Sequence, residues 1–329
     1  PDDSVALATL ASISVFLIAT VLQFFIALAA KWLIVGRLKP GIYPLWGVTY
    51  FRWWAADRMV ESAPTYLLSG SSLYPLWLRA LGAKIGQDVI IGGATVRAHD
   101  LLEIGDGVSV GNGVSFENAR VERGQLHLGR IALQDNACVG SYVIMEGNTA
   151  VGPWGHLEAQ SAMADGREVP AGRIWQGSPA RDVGAFDTLG QPARPVTSPA
   201  RLRAEKLFFA FGVLLIATLF FIPVFPTFFL IDWFDTQNVL PWFEGSGPLG
   251  QLARYFLLAF PASAVLIVAT VLASAALRWI VFPRLKPGRY EVHSNTYCAK
   301  WLISQIQEAS LNVLSGIYAT VYSPFWYRL

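Results

Sequence analysis

Charged residues are scarce in this sequence, and their scarcity excludes several kinds of protein. Of the 329 residues only 15% are charged, whereas 53% are hydrophobic. An ordinary soluble domain carries about 25% charged residues. The net charge of +2 comes without a basic stripe or patch, which argues against a nucleic-acid partner.

Cysteine is also scarce. Cys138 and Cys298 are the two cysteines of the sequence, and neither belongs to a closely spaced pair. The sequence therefore indicates neither a disulfide framework nor a cysteine-based zinc site. The histidines His99, His127 and His156 are too far apart in sequence to form a close metal-binding pair, so we predict no metal site.

Long hydrophobic runs, by contrast, are abundant. Residues 5–30, 207–231 and 255–277 contain no charged residue, and each run reaches the ~20 residues that a transmembrane helix needs. We therefore predict transmembrane helices within residues 1–36, 206–232 and 254–282. The first run is too long for a signal peptide and the chain begins at Pro1, so we expect an excised segment.

Basic residues flank these runs on one side of the predicted membrane. Lysines and arginines follow the first run, precede the second and follow the third, whereas the loop at 233–253 carries only acidic charges. By the positive-inside rule, we predict a multi-pass plasma-membrane protein with residues 31–206 in the cytosol and the 233–253 loop outside the cell.

A six-residue period runs through the segment between the first two hydrophobic runs. Large apolar residues recur at spacing six, at Leu133, Val139, Met145, Val151 and Leu157. Such a ladder is typical of coils of three short strands, in which each apolar residue points inward and stacks on the next coil. We predict a left-handed parallel β-helix over 81–183, inserted between transmembrane α-helices, and a linker at 184–205. The fold class is an α + β membrane protein.

Two stretches break this period and a third ends it. Residues 97–102 and 119–130 interrupt the ladder, and we expect them to be loops expelled from the coils, where such folds place function. Residues 172–180 leave the register and are expected to cap the ladder.

The sequence after the first span recurs after the third. The matches are Lys31-Trp32 with Arg278-Trp279, Arg37 to Gly41 with Arg284 to Gly288, Thr49-Tyr50 with Thr296-Tyr297, Trp54 with Trp301, and Pro75 to Arg79 with Pro324 to Arg328. We predict that residues 283–329 begin a second copy of 37–80 and that a second β-helix follows. The aromatic residues of 37–80 fit helices at the membrane interface or a collar on the mouth of the β-helix, and both interpretations stay open.

The motifs of the ladder resemble a known family. The ladder itself, the ending Trp175-Gln176-Gly177-Ser178-Pro179-Ala180 and the coil Ile104-Gly105-Asp106-Gly107 resemble hexapeptide-repeat acyltransferases. Together with paired spans and the repeated Arg-Leu-Lys-Pro-Gly element, the chain resembles the C-terminal membrane region of ε-poly-lysine synthase-type non-ribosomal peptide synthetases. This resemblance covers nearly the whole chain.

The resemblance implies upstream adenylation and carrier domains in the same polypeptide, which would activate an amino acid as a thioester. The present domain would be a condensation-like acyltransferase that joins this acyl group to the amine of an amino acid or peptide. The segment itself would bind no cofactor, and the donor would be a thioester of carrier-bound phosphopantetheine or of CoA. Two alternatives stay open: a membrane-tethered CoA-dependent O-acyltransferase acting on a glycan or lipid, and a non-catalytic β-helix scaffold.

Histidine is the usual base in acyl transfer, which also needs a group that stabilises the oxyanion. His99 is the first candidate because it lies in the first interruption, and a solvated loop histidine is the alternative. His127 alternates with Leu126 and Leu128, which predicts an outward side chain, and His156 is expected at a coil corner.

Four acidic residues are candidates for binding a cationic amino-acid substrate. Asp100 and Glu103 accompany the first interruption, and Glu117 and Glu122 accompany the second. Surface solvation is the simpler alternative for each of them. Cys138 directly precedes an inward-facing position and is expected to be a corner residue without chemistry.

Overall fold

The computed structural model describes residues 2–188, 197–219, 224–243, 247–281, 287–288 and 290–313, with the backbone alone for 2–10 and 311–313. The chain divides into two compact units. One unit comprises residues 18–210 and contains the β-helix. The other comprises residues 1–17 and 211–329, and its described residues are mostly helical.

The chain begins with a long apolar helix, α1 (Asp2–Ala30), which continues into a π-helical turn at Lys31–Val35. A short strand, β1 (Gly41–Pro44), follows, and then the helices α2 (Val48–Glu61) and α3 (Leu73–Ala80). The strand was not predicted, because the aromatic residues around it indicate helices at an interface as readily as a sheet.

The helices α2 and α3 pack on the β-helix. The Trp53 indole donates a hydrogen bond to the carbonyl oxygen of Arg97 at 3.0 Å, and the Tyr74 hydroxyl donates one to that of Ala94 at 2.5 Å. Segment 37–80 is thus a collar, although large aromatic side chains such as Trp46 stay exposed. Both interpretations of its aromatic residues therefore remain compatible with the structure.

Short parallel strands form the three faces of the β-helix. The first face carries β2 (Lys84–Ile85), β4 (Leu102–Ile104), β8 (Ile131–Leu133), β11 (Thr149–Val151) and β14 (Glu168–Val169). The second carries the first parts of β3 (Ile90–Val96) and β5 (Ser109–Glu117), then β9 (Cys138–Val139), β12 (His156–Leu157) and β15 (Arg173–Gln176). The third carries the ends of β3 and β5, then β10 (Ile144–Glu146) and β13 (Ala162–Met163). The five strands of the first face correspond to a solenoid of about five turns.

The predicted apolar ladder is the core of this solenoid. On the first face Ile104, Leu133, Val151 and Val169 stand in register on adjacent strands, and all four are buried. Burying such a side chain contributes about 1.5–3 kcal/mol. The stacked coils therefore supply each other with the apolar contacts that a single coil lacks, and the ladder prediction is confirmed.

Small residues at the corners are needed because adjacent coils approach closely. A Cβ atom added to Gly111 would lie 2.6 Å from the backbone nitrogen of Ser141 in the next coil. Such a contact is far inside the normal van der Waals distance, so a side chain at this corner would force the coils apart.

The second interruption leaves the coils, as predicted, but it forms a β-hairpin in a separate sheet rather than an irregular loop. The strands β6 (Ala119–Glu122) and β7 (Gln125–Leu128) pair antiparallel, and β1 adds to β7 as the third strand of the sheet. The alternation around His127 is the period-two pattern of such a strand. Leu126 and Leu128 face the core and His127 faces away from it, which confirms the outward orientation predicted for this histidine.

The ladder ends in a second hairpin. Strand β15 pairs antiparallel with β16 (Arg181–Ala185) at the point where residues 172–180 leave the six-residue register. The capping structure thus extends into the predicted linker. Residues 189–196 of that linker lie outside the described residues.

The described residues that follow form the α-helices α4 (Pro199–Leu219), α5 (Val224–Thr236), α6 (Gly247–Val281) and α7 (Asn295–Val313). Three helical stretches of the described chain, Ala11–Val35, Pro199–Thr236 and Gly247–Val281, are long and apolar enough to cross a membrane. The second includes residues 220–223, which the structure does not describe. α4 and α6 begin earlier than the predicted 206 and 254. In α4 the extension includes Arg201 to Glu205, a run of residues of which most favour helix.

Only part of the predicted second copy can be compared with the first. α7 contains the repeated Thr296-Tyr297 and Trp301, whereas Arg284 to Lys286 and the match at 324–328 lie outside the described residues.

Candidate active site

His99 lies in the first interruption of the ladder, in a single 3-10 turn (His99–Leu101). Only 8% of its surface is exposed, so the alternative of a solvated loop histidine is wrong. The loop is buried because Ala98 and Leu101 pack in one apolar cluster with Trp53 of α2 and Leu126 of the hairpin.

Three side chains hold this turn in place. The buried side chain of Asn118 accepts a hydrogen bond from the backbone nitrogen of Ala98 at 2.8 Å and donates one to its carbonyl oxygen at 2.7 Å. The Trp53 indole binds the carbonyl oxygen of Arg97, and Asp100 accepts a hydrogen bond from the Lys31 ammonium at 2.9 Å. The backbone is thus fixed on both sides of His99, and a fixed backbone preorganises the side chain that it carries.

A cavity of about 120 Å³ lies beside His99, between α2, α3 and β3. We call it the His99 cavity. Apolar residues line part of it, and the polar side chains in its lining are Asp57, Glu61, Thr65, Tyr74, Thr95, Arg97 and His99. A concave site with a few convergent polar groups is the usual form of a small-molecule binding site.

Asp57 is the buried acid of the cavity, with a side chain that is 7% exposed. It lies 3.1 Å from the guanidinium of Arg97 and 2.7 Å from that of Arg58. These two partners compensate the buried negative charge. A guanidinium has five N–H donors, more than this pair uses, so Arg97 retains donors for an anionic or carbonyl oxygen.

Two groups of the cavity have strongly shifted pKa values. Burial, assisted by the positive charge of Lys31, lowers the pKa of His99 to about 3. Burial raises the pKa of Tyr74 to about 12, although its hydrogen bond to Ala94 acts in the opposite direction. At neutral pH the imidazole is therefore an uncharged acceptor and the phenol keeps its proton. Among the described residues no hydrogen bond to the imidazole is found, so it is available to a ligand.

The other two candidate histidines lie elsewhere on the β-helix. His127 is half-buried on the outer face of the three-stranded sheet, opposite Ile42 and Arg120. His156 lies in β12 rather than at a corner, and its ring stacks on Phe186 with centroids 3.9 Å apart. Burial lowers the pKa of His156, although Glu158 opposes the shift. The structure does not bring the three histidines together.

Cys138 also lies in a strand, β9, where it is the cross-strand neighbour of His156. The prediction of a corner position is therefore wrong for this residue. Burial raises the pKa of its thiol, and the negative charge of Glu158 adds to this effect. A raised pKa disfavours the thiolate, which is the nucleophilic form of cysteine.

The four acidic candidates lie outside the lining of the His99 cavity. Asp100 forms a buried ion pair with Lys31 and accepts a second hydrogen bond from the Leu38 backbone nitrogen at 3.1 Å. The other three have partners nearby: Glu103 pairs with Lys84 at 2.8 Å, Glu117 accepts from the Ser115 hydroxyl, and Glu122 pairs with Arg120 at 3.1 Å.

Sequence reasoning assigned no site role to Asp57, Tyr74 or Arg97. A signal for Asp57 exists, because it shares a helical face with the buried residues Trp53, Ala56 and Val60 of α2. An acid on the apolar face of a helix indicates a buried, paired charge. The partner Arg97 could not be identified in this way, since nothing in the sequence relates α2 to the interrupted ladder.

Among the residues that the structure describes, no three His, Cys, Asp or Glu side chains come together as a metal site would require. The chemistry that the site offers is hydrogen bonding and charge: a neutral acceptor in His99, a guanidinium in Arg97, and hydroxyl groups. These are the groups that orient an amine and stabilise a developing oxyanion.

Comparison with solved structures gives only weak similarity. A hexapeptide-repeat-containing acetyltransferase from Vibrio cholerae is 17% identical, with 36% of this chain and 81% of that chain covered and a TM-score of 0.30. The same acetyltransferase in complex with acetyl coenzyme A is also 17% identical. That match covers 39% of this chain and 89% of the other, with a TM-score of 0.31. No protein-family model matches the chain.

A curated relative gives much stronger similarity. The chain is 44% identical over 328 residues to delta-poly-L-ornithine synthetase from Acinetobacter baumannii (strain AB307-0294). The match covers 99% of this chain but 24% of that protein, so the chain spans about a quarter of the length of its relative. The resemblance found in the sequence is thereby confirmed: over nearly its whole length, the chain is similar to a segment of a poly-amino-acid synthetase.

Proposed function

We propose that this chain is the acyltransferase segment of a membrane-bound peptide synthetase. It forms amide bonds between a carrier-bound aminoacyl thioester and the amine of an amino acid or peptide. The observation that carries the proposal is the 44% identity to a poly-amino-acid synthetase over 99% of the chain. Because this match includes both the apolar helices and the β-helix, it supports a shared use of the whole arrangement.

The His99 cavity is the proposed place of acyl transfer. The amine nitrogen attacks the thioester carbonyl carbon, the C–N bond forms, the C–S bond breaks, and the proton lost by the amine passes to the leaving thiolate. A neutral imidazole accepts a hydrogen bond from the amine and so directs its lone pair at the carbonyl. With a pKa of about 3, His99 orients the amine rather than storing its proton.

Arg97 is the proposed stabiliser of the oxyanion that forms during this attack. Its guanidinium lines the cavity together with His99, and Asp57 holds it in position at 3.1 Å. A preorganised donor aimed at a developing negative charge is typically worth more in a buried site than in water. The donor is a thioester of phosphopantetheine or CoA, which enters as a substrate.

The remaining length of the relative supports the expectation of further domains. We propose that adenylation and carrier domains upstream supply the thioester, and that a second β-helix follows. The β-helix lies on the cytosolic side of the plasma membrane, as the basic residues beside the spans predict.

The test uses the full-length protein in native membranes, supplied with ATP and one amino acid at a time, with products identified by mass. We expect amide-linked oligomers of one amino acid. His99→Ala should abolish product, whereas His127→Ala and His156→Ala, which alter histidines outside the cavity, should retain it.

Wild-type product from His99→Ala would reject the role of His99. An ester product on a glycan or lipid acceptor, without peptide, would favour the O-acyltransferase over the amide-forming enzyme. Unchanged product from single variants of His99, Arg97 and Asp57, each folded, would leave the β-helix as a scaffold.

A further inference from the structure

The helices α2 and α7 are two copies of one sequence. Thr49-Tyr50 and Trp54 of α2 recur in α7 as Thr296-Tyr297 and Trp301, at a constant spacing. This spacing pairs every residue of α2 with one residue of α7, so their environments can be compared position by position.

The two copies bury opposite faces. The buried side chains of α7 are Cys298, Trp301, Leu302, Gln305, Ile306, Ala309 and Ser310. At the first six of these positions, the first copy carries Phe51, Trp54, Ala55, Arg58 and Met59 in α2 and Ser62 directly after it. All of these are exposed except Ala55, which is half-buried. At the seventh, Ala63 is buried like its counterpart.

The reverse comparison gives the same result. In α2 the buried residues are Trp53, Ala56, Asp57 and Val60, on the face that packs on the β-helix. Their counterparts in α7 are Lys300, Ile303, Ser304 and Gln307, which are exposed or half-buried. The repeated helix thus has two faces that can be buried. Within the described residues, α2 has one of these faces covered and α7 has the other.

Apolar helices cover the buried face of α7. The Trp301 ring packs so closely on Gly212 of α4 that a Cβ atom added there would lie 2.7 Å from it. Ser310 shares a hydrogen bond of 2.6 Å with Ser274 of α6. α4 and α6 belong to the stretches that are apolar and long enough to cross a membrane. The face of α7 that carries Trp301 is therefore an interface with such helices.

The corresponding face of α2 is mostly apolar, with Arg58, which pairs with Asp57 and Glu61, as its charged residue, and none of the described residues covers it. Phe51, Trp54 and Met59 are 49%, 48% and 43% exposed. The patch continues into Trp46 and Val48, which are 70% and 75% exposed. Contiguous exposed apolar surface of this kind marks an interaction site more often than chance.

We propose that this face of α2 is the docking surface for an apolar transmembrane helix of the same polypeptide, one that lies N-terminal to α1 and packs on Trp54 as α4 packs on Trp301. The order of elements supports this assignment. Lys31-Trp32 at the end of α1 matches Arg278-Trp279 at the end of α6, so α1 is the counterpart of α6. Because α4 precedes α6, the counterpart of α4 precedes α1.

The equivalence also predicts what the docking helix looks like at the contact. It carries a glycine or another small residue opposite Trp54, as α4 carries Gly212 opposite Trp301. Small residues let helices approach closely in a membrane. This proposal does not depend on the catalytic role of the His99 cavity.

The test places a photo-crosslinking amino acid at Trp54 in the full-length protein in native membranes and identifies the crosslinked peptide by mass. Trp301 is the matched positive control, and we expect it to crosslink to the α4 peptide that contains Gly212. Position 54 should crosslink to an apolar peptide N-terminal to α1. Crosslinks from position 54 only to lipid, to a second copy or to another protein would overturn the proposal.

A second measurement decides the case in which no crosslink forms at position 54. In a protein with Cys138 and Cys298 replaced by alanine, Trp54→Cys and Tyr142→Cys are labelled with a membrane-permeant maleimide. Tyr142 is the reference because its side chain is 66% exposed on the β-helix. Coverage predicts labelling about tenfold slower at position 54 than at position 142. Coverage by the helix predicts that deleting the segment N-terminal to α1 restores fast labelling at position 54, whereas labelling that stays slow after the deletion shows coverage by lipid and overturns the proposal. Equal rates would show an uncovered face and overturn the proposal.

Discussion

At the scale of single residues, the protonation of His99 connects the site to the stability of the fold. Its pKa of about 3 in the folded chain lies below the value of about 6.5 for an exposed histidine. Between these values only the unfolded chain binds the proton. Folding stability should therefore fall as pH falls from 6.5 towards 3, by at most about 1.4 kcal/mol per pH unit, and should be fully present above 6.5.

The His99→Gln variant, which does not titrate, should show a shallower loss of stability over the same range in thermal unfolding of the purified protein. The activity of the wild type should show no acidic limb from this residue between pH 6 and 8. Parallel stability curves for the two proteins would mean that the imidazole is solvated in solution.

A second prediction at this scale concerns the pair of Asp57 and Arg97. Asp57→Asn leaves the shape of the side chain but removes the charge that positions the guanidinium, so we expect the rate of peptide formation to fall about tenfold. Arg97→Met removes the donor itself, so the rate should fall about 10²–10³-fold. The double variant should lose no more than Arg97→Met alone, because Asp57 acts through the guanidinium.

The matched control for that pair is Asp182→Asn, which breaks the exposed ion pair of Asp182 with Arg173 at 2.7 Å in the terminal hairpin. Exposed ion pairs contribute little to the stability of the fold, so the Asp182→Asn variant should form peptide at the same rate as the wild type. Additive effects of Asp57→Asn and Arg97→Met would argue against a shared role.

At the scale of elements, the buried ion pair of Lys31 and Asp100 joins the end of α1 to the turn that carries His99. Their side chains are 5% and 9% exposed. Removing one partner leaves a buried charge without compensation, so Lys31→Met or Asp100→Asn should each destabilise the fold by about 3–5 kcal/mol.

The double variant should regain much of that loss, because no charge is then left unpaired. Chemical denaturation of the four proteins in detergent measures the coupling. A double variant as unstable as the sum of the two single variants would show that the pair makes no specific contribution.

The elements also show what the sequence could and could not predict. The ladder and the apolar helices were predictable because their signals are local periods: the spacing of Leu133, Val139 and Met145 is enough to identify the coils. The hairpin that contains His127 was harder to predict from the sequence, because strand β7 is recognised only together with its partner β1, which lies far away in sequence. Of the candidate site, the sequence predicted His99 alone. The cavity beside His99 is completed by residues of α2, and the position of α2 depends on tertiary packing that the sequence does not reveal.

At the scale of the whole molecule, the charges beside the apolar helices predict an orientation that labelling can test. In a cysteine-free background, Gln237→Cys samples the predicted outer loop and Tyr142→Cys samples the β-helix. Both positions are exposed. An impermeant maleimide should label position 237 in intact cells and position 142 only after permeabilisation. The reverse pattern would invert the predicted topology.

The ion pair of Lys31 and Asp100 has a practical consequence for anyone who wants the β-helix as a soluble protein. A fragment that begins after the apolar stretch Ala11–Val35 lacks Lys31. The carboxylate of Asp100 would then remain in the interior with the Leu38 backbone amide as its remaining hydrogen-bond donor. Such a fragment should be redesigned with Asp100→Asn, or extended to begin before Lys31. The boundary between the membrane part and the soluble part of this protein therefore cannot be cut where the hydrophobic residues end.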